Sequence, residues 1–420
     1  MHTLHKPLAV LLLGLGALAP AGHALAGDED ALNLADNTQA STEQARDWRL
    51  LIEGAIGGSD QRDGTQTRSQ RVSASVELDT RLAPDWRLVL SDRVDQRWSG
   101  TLQDGDAINT LRDAYVSWQA SPTRALDVGR INTRYGVAMG YNPTDWFAAG
   151  AVRSRVSEDP GSLRDNRQGS VMLRGQQLWD GGAATLLYSP KLADHREDGS
   201  FNPDWGRTNG QDRALLSVST RLSDSLSPEW LLYHQAGGAP QLGLNLSWLA
   251  NPATVAYLEW SGGRQRSQLA QALGGDDTAF RQRLAIGATY TTDFKLSTTV
   301  EYDYNGAGLD DDGWQALQAG NPGRYWAYRG TVSDLQALPT RHAWFIRAAW
   351  QDALINHLDL TGMLRINGDD HSRMSWLEAR YHWDKTDVAL QWQHYGGNSG
   401  SEYGALPQRQ LWQVLLTRYF

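Results

Sequence analysis

Apolar and polar residues alternate with a period of two over long stretches of the chain. In residues 71–82, one face carries Val72, Ala74, Val76, Leu78, Thr80 and Leu82, and the other carries Arg71, Ser73, Ser75, Glu77, Asp79 and Arg81. Residues 241–248 and 294–305 repeat this pattern. Period-two alternation indicates a β-strand with one apolar face. Runs of ten or more residues are typical of tilted membrane-spanning strands rather than the shorter strands of soluble sandwiches.

The alternation predicts about eighteen strands, within a range of roughly 16–18. The predicted strands are 46–57, 67–82, 85–98, 108–120, 123–131, 167–178, 181–190, 211–222, 228–237, 240–249, 253–263, 278–290, 293–305, 341–351, 355–366, 371–383, 386–395 and 408–420. The predicted fold class is therefore all-β, with residues 46–420 forming a single transmembrane antiparallel β-barrel. One position does not fit: Asp92 shares the apolar face with Leu90 and Val94, which suggests a bulge or a shifted register.

The connections between these strands alternate between short and long. Short ones such as 83–84, 121–122 and 384–385 read as periplasmic turns, and long ones such as 132–166 and 306–340 read as external loops. Two connections predicted to be external, 238–239 and 367–370, are also short. Tryptophans are predicted to form belts at both membrane interfaces, because they fall near strand ends: Trp86, Trp118, Trp230, Trp248, Trp350 and Trp383 at one end, and Trp98, Trp260, Trp344 and Trp376 at the other.

Composition agrees with a barrel. The chain contains 18 Trp and 15 Tyr although its mean hydropathy is only −0.51, as expected when only alternate residues meet lipid. Residues 1–26 have the basic start, short apolar run and Ala24-Leu25-Ala26 site of a secretory signal peptide. Residues 27–45 are polar and predict a periplasmic N-terminal arm or a plug. The chain has no Cys, which excludes disulfides and thiolate metal sites.

The last residues, Leu411 to Phe420, form an alternating segment that ends in an aromatic residue. This segment resembles the closing strand of Gram-negative outer-membrane β-barrels, although Arg418 stands where that family usually has an aromatic residue. The resemblance implies a location in the outer membrane of a Gram-negative bacterium, contact with outer-membrane lipid, and recognition of the C-terminal strand and Phe420 by the barrel-insertion machinery.

If the apolar faces meet lipid, the opposite faces line the interior, and these are rich in arginine. The predicted pore-lining residues are Arg71, Arg81, Arg87, Arg93, Arg174, Arg221, Arg283, Arg347, Arg365 and Arg380. Acidic residues such as Glu77, Glu259 and Glu301 share these faces. Two interpretations stay open: the charges pair across strands and solvate the wall, or a basic excess makes the lumen select anions.

The third predicted external loop, 132–166, mixes turn residues, aromatics and paired charges, which suits a packed loop. The third loop of porins commonly folds into the barrel, and this loop resembles such a constriction. We therefore expect Arg134, Arg153 and Arg155 to contribute to selectivity. The segment Asn142–Asp145 reads as a turn or a helix cap, with substrate contact as the alternative.

An eighteen-stranded barrel with an arginine-lined interior resembles specific porins and, more weakly, the alginate-export type of channel. The predicted function is a channel for diffusion or export of small or polymeric solutes, selective for anions. The alternative is a non-conducting barrel that acts as an adhesin or as a scaffold for an envelope complex. A periplasmic or inner-membrane transport partner is an open possibility.

Enzymatic and cofactor functions are not indicated. Residues 369–372 (Asp-Asp-His-Ser) contain triad residue types, but adjacent residues cannot converge in space as a triad requires. The sequence has no Gly-x-Ser-x-Gly elbow, and its ten His lack metal-ligand spacing. We therefore predict no enzyme activity, no cofactor and no metal. Nucleic-acid binding is not expected for a chain with a net charge of −9.

Overall fold

The computed structural model describes residues 46–99, 105–197 and 199–420, in which eighteen strands form one closed antiparallel sheet. The strands are β1 (Trp48–Gln61), β2 (Gln66–Ala83), β3 (Trp86–Ser99), β4 (Gly105–Ser121), β5 (Arg124–Ile131), β6 (Ser170–Trp179), β7 (Gly182–Ser189), β8 (Arg213–Thr220), β9 (Leu226–Gln235), β10 (Gln241–Asn251), β11 (Thr254–Gln265), β12 (Ala279–Thr291), β13 (Leu296–Asn305), β14 (His342–Trp350), β15 (Leu358–Asn367), β16 (Arg373–His382), β17 (Thr386–Gly396) and β18 (Gln408–Tyr419).

Each strand pairs with its neighbours in sequence, and β1 pairs with β18 from Leu51↔Tyr419 to Gln61↔Gln408. The predicted all-β barrel of about eighteen strands is confirmed. Because β6 begins at Ser170, the loop predicted at 132–166 extends to residue 169. The predicted signal peptide and the arm or plug at 27–45 lie outside the described residues.

Short turns join the strands at one end of the barrel, and all the long loops lie at the other, where the connections 62–65, 236–240 and 368–372 are also short. We call these the short-turn end, which the sequence predicts to be periplasmic, and the loop end. The period-two pattern predicts none of the helices found in the loops. These are a 3₁₀ helix (Trp146–Ala148) and the α-helices α1 (Pro160–Asp165), α2 (Trp205–Thr208), α3 (Gln268–Leu273), α4 (Asp311–Ala319) and α5 (Pro322–Asp334). Among the residues described, none of these helices has the length and apolar content to cross a membrane.

The outside of the barrel is apolar and the inside is polar, as the alternation predicts. On β2, Val72 has 49% of its surface exposed, whereas Ser73 on the opposite face has none. This inverts the arrangement of a soluble protein and suits a wall that meets lipid on the outside. Exposed tryptophans mark the strand ends, and Trp86 and Trp118 stack at the short-turn end with their ring centroids 6.0 Å apart.

The prediction for Trp376 is wrong. It faces the lumen, is 3% exposed, and packs with Phe345, Met363 and Met374. Trp376 lies an even number of residues from Met374 and from Glu378, so strand alternation places all three on the inner face. For Trp376, the alternation along the strand indicates the direction of the side chain better than its position near a strand end does.

A bulge in β4 lies beside Asp92, the residue that does not fit the alternation. The pairing of β3 with β4 passes from Ser91↔Asp113 to Asp92↔Leu111, which leaves Arg112 without a partner residue. Asp92 stays on the outer face, where Asn109 donates to both of its carboxylate oxygens at 2.8 and 2.9 Å. The extra residue turns Arg112 inward, and its guanidinium donates to the Ser75 hydroxyl at 2.5 Å. The bulge thus re-aims a side chain, as β-bulges commonly do.

Helices α4 and α5, in the seventh loop (306–341), form a small cap over part of the loop end. Trp314, Leu317, Tyr325, Tyr328 and Val332 make its buried apolar cluster, with Leu269 of α3 packed against it. The helices begin where the sequence provides capping groups: the Asp310 side chain accepts from Gly313 N, and Pro322 occupies the first turn of α5. The cap narrows the entrance to the interior.

Candidate functional site

The third loop, residues 132–169 between β5 and β6, folds into the barrel as predicted from the resemblance to porins. Its first part crosses to strands β11, β13 and β14 on the opposite wall, where Gly140 lies against Phe345. Its second part returns past β2 and β3: the Arg97 guanidinium contacts the Ser154 hydroxyl, and Arg71 donates to the Val156 carbonyl at 3.1 Å. The loop is therefore attached to two separate regions of the wall.

Two fully buried carboxylates hold the first part of the loop. Glu259 of β11 accepts hydrogen bonds from the backbone N–H groups of Val137 (3.0 Å), Ala138 (3.1 Å) and Thr144 (2.7 Å). Glu301 of β13 accepts from those of Met139 (2.8 Å), Gly140 (2.8 Å) and Tyr141 (3.0 Å). Side chains add to both sets: the Thr144 hydroxyl donates to Glu259 at 2.9 Å, and the Tyr257 hydroxyl to Glu301 at 2.6 Å. We call residues 136–144 the arch.

Two glycines allow the arch to approach the wall so closely. A Cβ on Gly136, whose φ is +102°, would lie 2.4 Å from Glu259 Oε2. A Cβ on Gly140 would lie 2.6 Å from the Phe345 Cβ. Both distances are shorter than van der Waals contact allows, and the left-handed backbone at Gly136 is unfavourable for other residues. Close contact with the wall thus requires glycine at positions 136 and 140.

The segment Asn142–Asp145 forms the predicted turn, in which Asp145 N donates to Asn142 O at 3.2 Å. Of the two structural interpretations, a turn or a helix cap, the structure shows the turn, because the Asp145 side chain caps no helix. Asp145 instead pairs with the buried guanidinium of Arg167 at 2.5 Å. Trp146 and Phe147 follow and pack with Leu187, Leu215, Leu231 and Tyr233 of the wall, so this stretch of loop has an apolar core of its own.

Most of the predicted pore-lining arginines on β1–β6 are engaged in ion pairs. Arg71 and Arg93 share the Glu53 carboxylate, at 2.6 and 3.2 Å. Arg174 pairs with Asp127 at 2.7 Å, and Arg87 pairs with Asp79. Arg380 on β16 pairs with Glu378 of the same strand at 2.9 Å and, across to β17, lies 3.7 Å from Asp387. For these residues the geometry agrees with the interpretation that charges pair across strands.

Other predicted residues lie away from the centre of the lumen. Arg221 is exposed in the turn that follows β8, and not in a strand as predicted, because β8 ends at Thr220. Arg81 is exposed near the short-turn end of β2. In the third loop, Arg134 pairs with Asp165, and Arg153 donates to the carbonyls of Asn202 and Gly199 in the fourth loop (190–212). Arg347 approaches Asp159 at 3.7 Å.

A cavity of about 1040 Å³ lies on the loop side of the arch, and we call it the vestibule. Its lining includes eight arginines and five acidic residues; the arginines are Arg155, Arg164, Arg167, Arg264, Arg266, Arg283, Arg329 and Arg365, and the acids are Asp145, Glu158, Asp276, Asp303 and Glu402. The wall of the vestibule therefore carries a basic excess in a chain whose net charge is −9.

Three of the vestibule arginines were expected from the sequence: Arg155, Arg283 and Arg365. Arg283 donates to the Gln265 side chain at 2.8 Å. The Arg365 guanidinium lies 5.4 Å from the ring centroid of Phe345, and its charge also interacts with the carboxylates of Asp303 and Glu402. Arg264 is the second-last residue of β11, Arg266 follows the end of that strand, and Arg329 is on α5. At a strand end, in a loop or on a helix, the period-two pattern does not indicate which side chains face the lumen. Only their proximity to a strand end or a long loop could have suggested them.

Glu402 of the ninth loop (397–407) is an acid of the vestibule that lies outside the strands. Its carboxylate accepts from Asn367 Nδ2 at 2.8 Å, and Arg329 donates to its backbone carbonyl at 2.8 Å. Burial raises the pKa of Glu402 above its ordinary value, against the opposing effects of Arg329 and Asn367. Across residues 46–99, 105–197 and 199–420, no group of three or more metal-binding side chains is placed to hold a metal ion.

Comparison with known proteins gives a likeness of fold. No protein-family model matches the chain, and no curated protein matches it. Among solved structures, it is similar to Pseudomonas aeruginosa OccK5 (OpdH), with 10% identity, a TM-score of 0.55, and coverage of 89% of this chain and 98% of that one. It is also similar to P. aeruginosa OpdQ, with 12% identity, a TM-score of 0.55, and coverage of 90% of this chain and 99% of that one. Similarity to Acinetobacter baumannii OccAB1 has 11% identity, a TM-score of 0.54, and coverage of 89% of this chain and 96% of that one.

These neighbours are outer-membrane porins, so the expectation of a porin-like barrel is confirmed at the level of fold. The likeness also supports the predicted location in a Gram-negative outer membrane. It gives no support for the weaker resemblance to alginate-export channels, which stays a prediction.

Proposed function

We propose that this protein is an outer-membrane channel through which small solutes diffuse, with a preference for anions. The observation that carries the proposal is the vestibule, where eight arginines face five acidic residues directly beside a loop that crosses the barrel. A basic excess in this one place, within a chain of net charge −9, concentrates positive potential on the route that a solute would take.

The low dielectric of the surrounding wall makes that excess effective. Fixed charges in a narrow, low-dielectric passage focus field lines along it and favour entry of the opposite charge. Arg283 and Arg365 suit this role best, because Arg283 is bonded to a Gln side chain and Arg365 lies beside a Phe ring, with the carboxylates of Asp303 and Glu402 near enough to interact with the Arg365 charge. Their guanidinium groups offer planar, bidentate contacts for a carboxylate or phosphate. No covalent step is involved, and the solute passes unchanged.

The test is the reversal potential in planar bilayers under a salt gradient. We expect the wild-type protein to pass anions in preference to cations, and the Arg283→Gln/Arg365→Gln variant to lose most of that preference. Arg87→Gln is the matched control for each substitution: it removes one positive charge from the wall, but Arg87 is paired with Asp79 near the short-turn end. Equal or cation-favouring permeability of the wild-type channel would overturn the proposed anion preference.

The alternative function, a non-conducting adhesin or scaffold, is an outcome of the same measurement. An inserted and heat-stable barrel that gives no conductance would favour it. A role of Phe420 in recognition by the insertion machinery, and a periplasmic or inner-membrane transport partner, stay predictions. Deleting Phe420 and measuring the amount of barrel that reaches the outer membrane tests the first of these.

A further inference from the structure

The neutralisation of Glu259 and Glu301 differs from that of Glu53, Asp95 and Asp127, which pair with arginines. In the part of the chain that the structure describes, neither forms an ion pair with an arginine or lysine. Six backbone N–H groups of the arch, together with three side-chain donors, satisfy the two carboxylates instead. A carboxylate held by several N–H groups is a strong, charge-assisted contact. These two residues therefore bind the backbone of the loop, whereas Glu53, Asp95 and Asp127 bind side chains.

We propose that Glu259 and Glu301 are positioning residues that fix the arch across the barrel and thereby set the width and selectivity of the passage. The proposal rests on the proposed channel function. The arch contributes Met139, Gly140, Tyr141 and Asn142 to the lining of the vestibule, so any displacement of the arch changes the cross-section that a solute meets. Neither glutamate itself borders the vestibule.

The attachment is specific to the carboxylate group. In Glu301, one oxygen accepts from Gly140 and Tyr141, and the other accepts from Met139 and the Tyr257 hydroxyl. Glutamine has the same shape but only one acceptor oxygen, and its NH2 group would face N–H donors. A buried donor left without an acceptor destabilises the arrangement. Glu301→Gln should therefore detach part of the arch without creating a cavity.

The rest of the third loop has independent attachments. Ser154 donates to Asp95 at 2.5 Å, and Arg167 holds Asp145. Loss of the glutamate contacts is therefore expected to free residues 136–144 while the loop stays inside the barrel. This separates a positioning role from a general loss of folding.

The first experiment compares single-channel records of Glu259→Gln and Glu301→Gln with those of Glu378→Gln. Glu378 also faces the lumen and loses the same charge, but its described partners are Arg380 on the same strand and Gln391 on the neighbouring strand β17. We expect frequent transitions between conductance levels and a weaker anion preference in the first two variants, and neither in the control. Retention of heat-resistant mobility on gels shows that each barrel is intact.

The second experiment needs no conductance and so separates failure of this proposal from failure of the proposed function. Val137 is buried against Tyr257 and Ala285, and the chain has no native Cys. A Val137→Cys reporter should react slowly with a water-soluble maleimide. Adding Glu259→Gln or Glu301→Gln should raise the labelling rate about tenfold or more, because buried hydrogen bonds to the arch are lost; adding Glu378→Gln should leave it unchanged.

A disulfide supplies the rescue. A Cβ at Gly140 lies 2.6 Å from the Phe345 Cβ, so a Gly140→Cys/Phe345→Cys pair reaches disulfide geometry after a shift of roughly 1 Å. In the Glu301→Gln background, oxidation should restore steady conductance and selectivity, and reduction should remove them again. The proposal fails if the glutamine variants keep wild-type records and wild-type labelling, or if oxidation leaves the Glu301→Gln records unchanged.

Discussion

The two sides of the barrel use acidic residues in different ways. On β1–β3, Glu53 and Asp95 lie among Arg71 and Arg93, and side chains neutralise side chains. On β11 and β13, Glu259 and Glu301 are neutralised by the backbone of the third loop. In the first arrangement, charged side chains of the wall are neutralised by other side chains of the wall. The second fixes a length of chain inside the lumen.

The difference shows that a buried acid in a barrel lumen does not reveal its role by its presence alone. Ion pairs among strands add rigidity and leave little net charge for a solute to meet. Carboxylates that accept hydrogen bonds from the N–H groups of a loop do not also form ion pairs with the arginines nearby. The positive charge of those arginines is then available to a solute. This is consistent with the basic excess at the vestibule, which lies beside the arch and away from the Glu53 cluster.

The largest expected effect is on the Glu53 side. Glu53→Ala would leave Arg71 and Arg93 buried without their shared carboxylate, a change that typically costs about 3–5 kcal/mol of unfolding free energy. Urea unfolding in detergent or lipid measures it. Asp79→Ala is the control, because Asp79 is half-exposed beside Arg87 and exposed pairs contribute about 1 kcal/mol or less. Equal losses for the two variants would contradict the distinction between buried and exposed pairs.

The next effect tests the close approach of the arch. Gly140→Ala would force a Cβ against Phe345, and Gly136→Ala would force one against Glu259. We expect each to destabilise the barrel by roughly 1–3 kcal/mol, and to increase maleimide labelling of a Val137→Cys reporter. Gly54→Ala on β1 is the matched control, since nothing lies within 4 Å of its added Cβ. Normal labelling in both arch variants would mean that the loop accommodates the methyl group.

A smaller effect distinguishes among the arginines of the third loop. Arg155 borders the vestibule, where it pairs with Glu158 at 3.1 Å, whereas Arg134 is paired with Asp165 and Arg153 is bonded to the fourth loop, and neither of these two borders the vestibule. Arg155→Ala should lower the anion-to-cation permeability ratio by about a factor of two, with a larger change at low salt, where screening is weaker. Arg134→Ala and Arg153→Ala should change the ratio less. A larger change from Arg134→Ala than from Arg155→Ala would place the filter elsewhere in the loop.

The smallest expected effect is a pH dependence at the ninth loop. Because burial raises the pKa of Glu402, the docked loop binds a proton more tightly than the free loop. Docking is therefore most stable below the ordinary pKa of 4.5 and weakens as the pH rises through the raised value. Protease cleavage of residues 397–407 should be slower in acid than at neutral pH. Glu402→Gln should make cleavage slow at both pH values; an unchanged pH dependence in this variant would assign the effect to another group.

Much of the fold could be predicted from local sequence. Strand alternation gave the inner and outer faces of β2 and β13, because a pleated strand places successive side chains on opposite sides. It also identified Asp92 as a misfit on the apolar face. The bulge beside Asp92 lies in the neighbouring strand, at Arg112. Trp376 was misplaced because nearness to a strand end was given more weight than parity.

The candidate site could be predicted only in part. The third loop was expected to constrict the barrel, but the sequence did not indicate that Glu259 and Glu301, more than 110 residues further along the chain, would hold it. The arginines Arg264, Arg266 and Arg329 were missed, since they reach the vestibule from other loops.

By itself, the sequence determined the class of this protein: a polar-lined, apolar-coated barrel with about eighteen strands. This is possible because alternation and strand length are local properties. The tertiary structure decided which charges are available to a solute. Whether an arginine meets a carboxylate, a glutamine or an open cavity depends on which strands and loops converge there. Closing the sheet brings together residues that are far apart in sequence, and hydrogen bonding then assigns each buried acid to a side chain or to a loop.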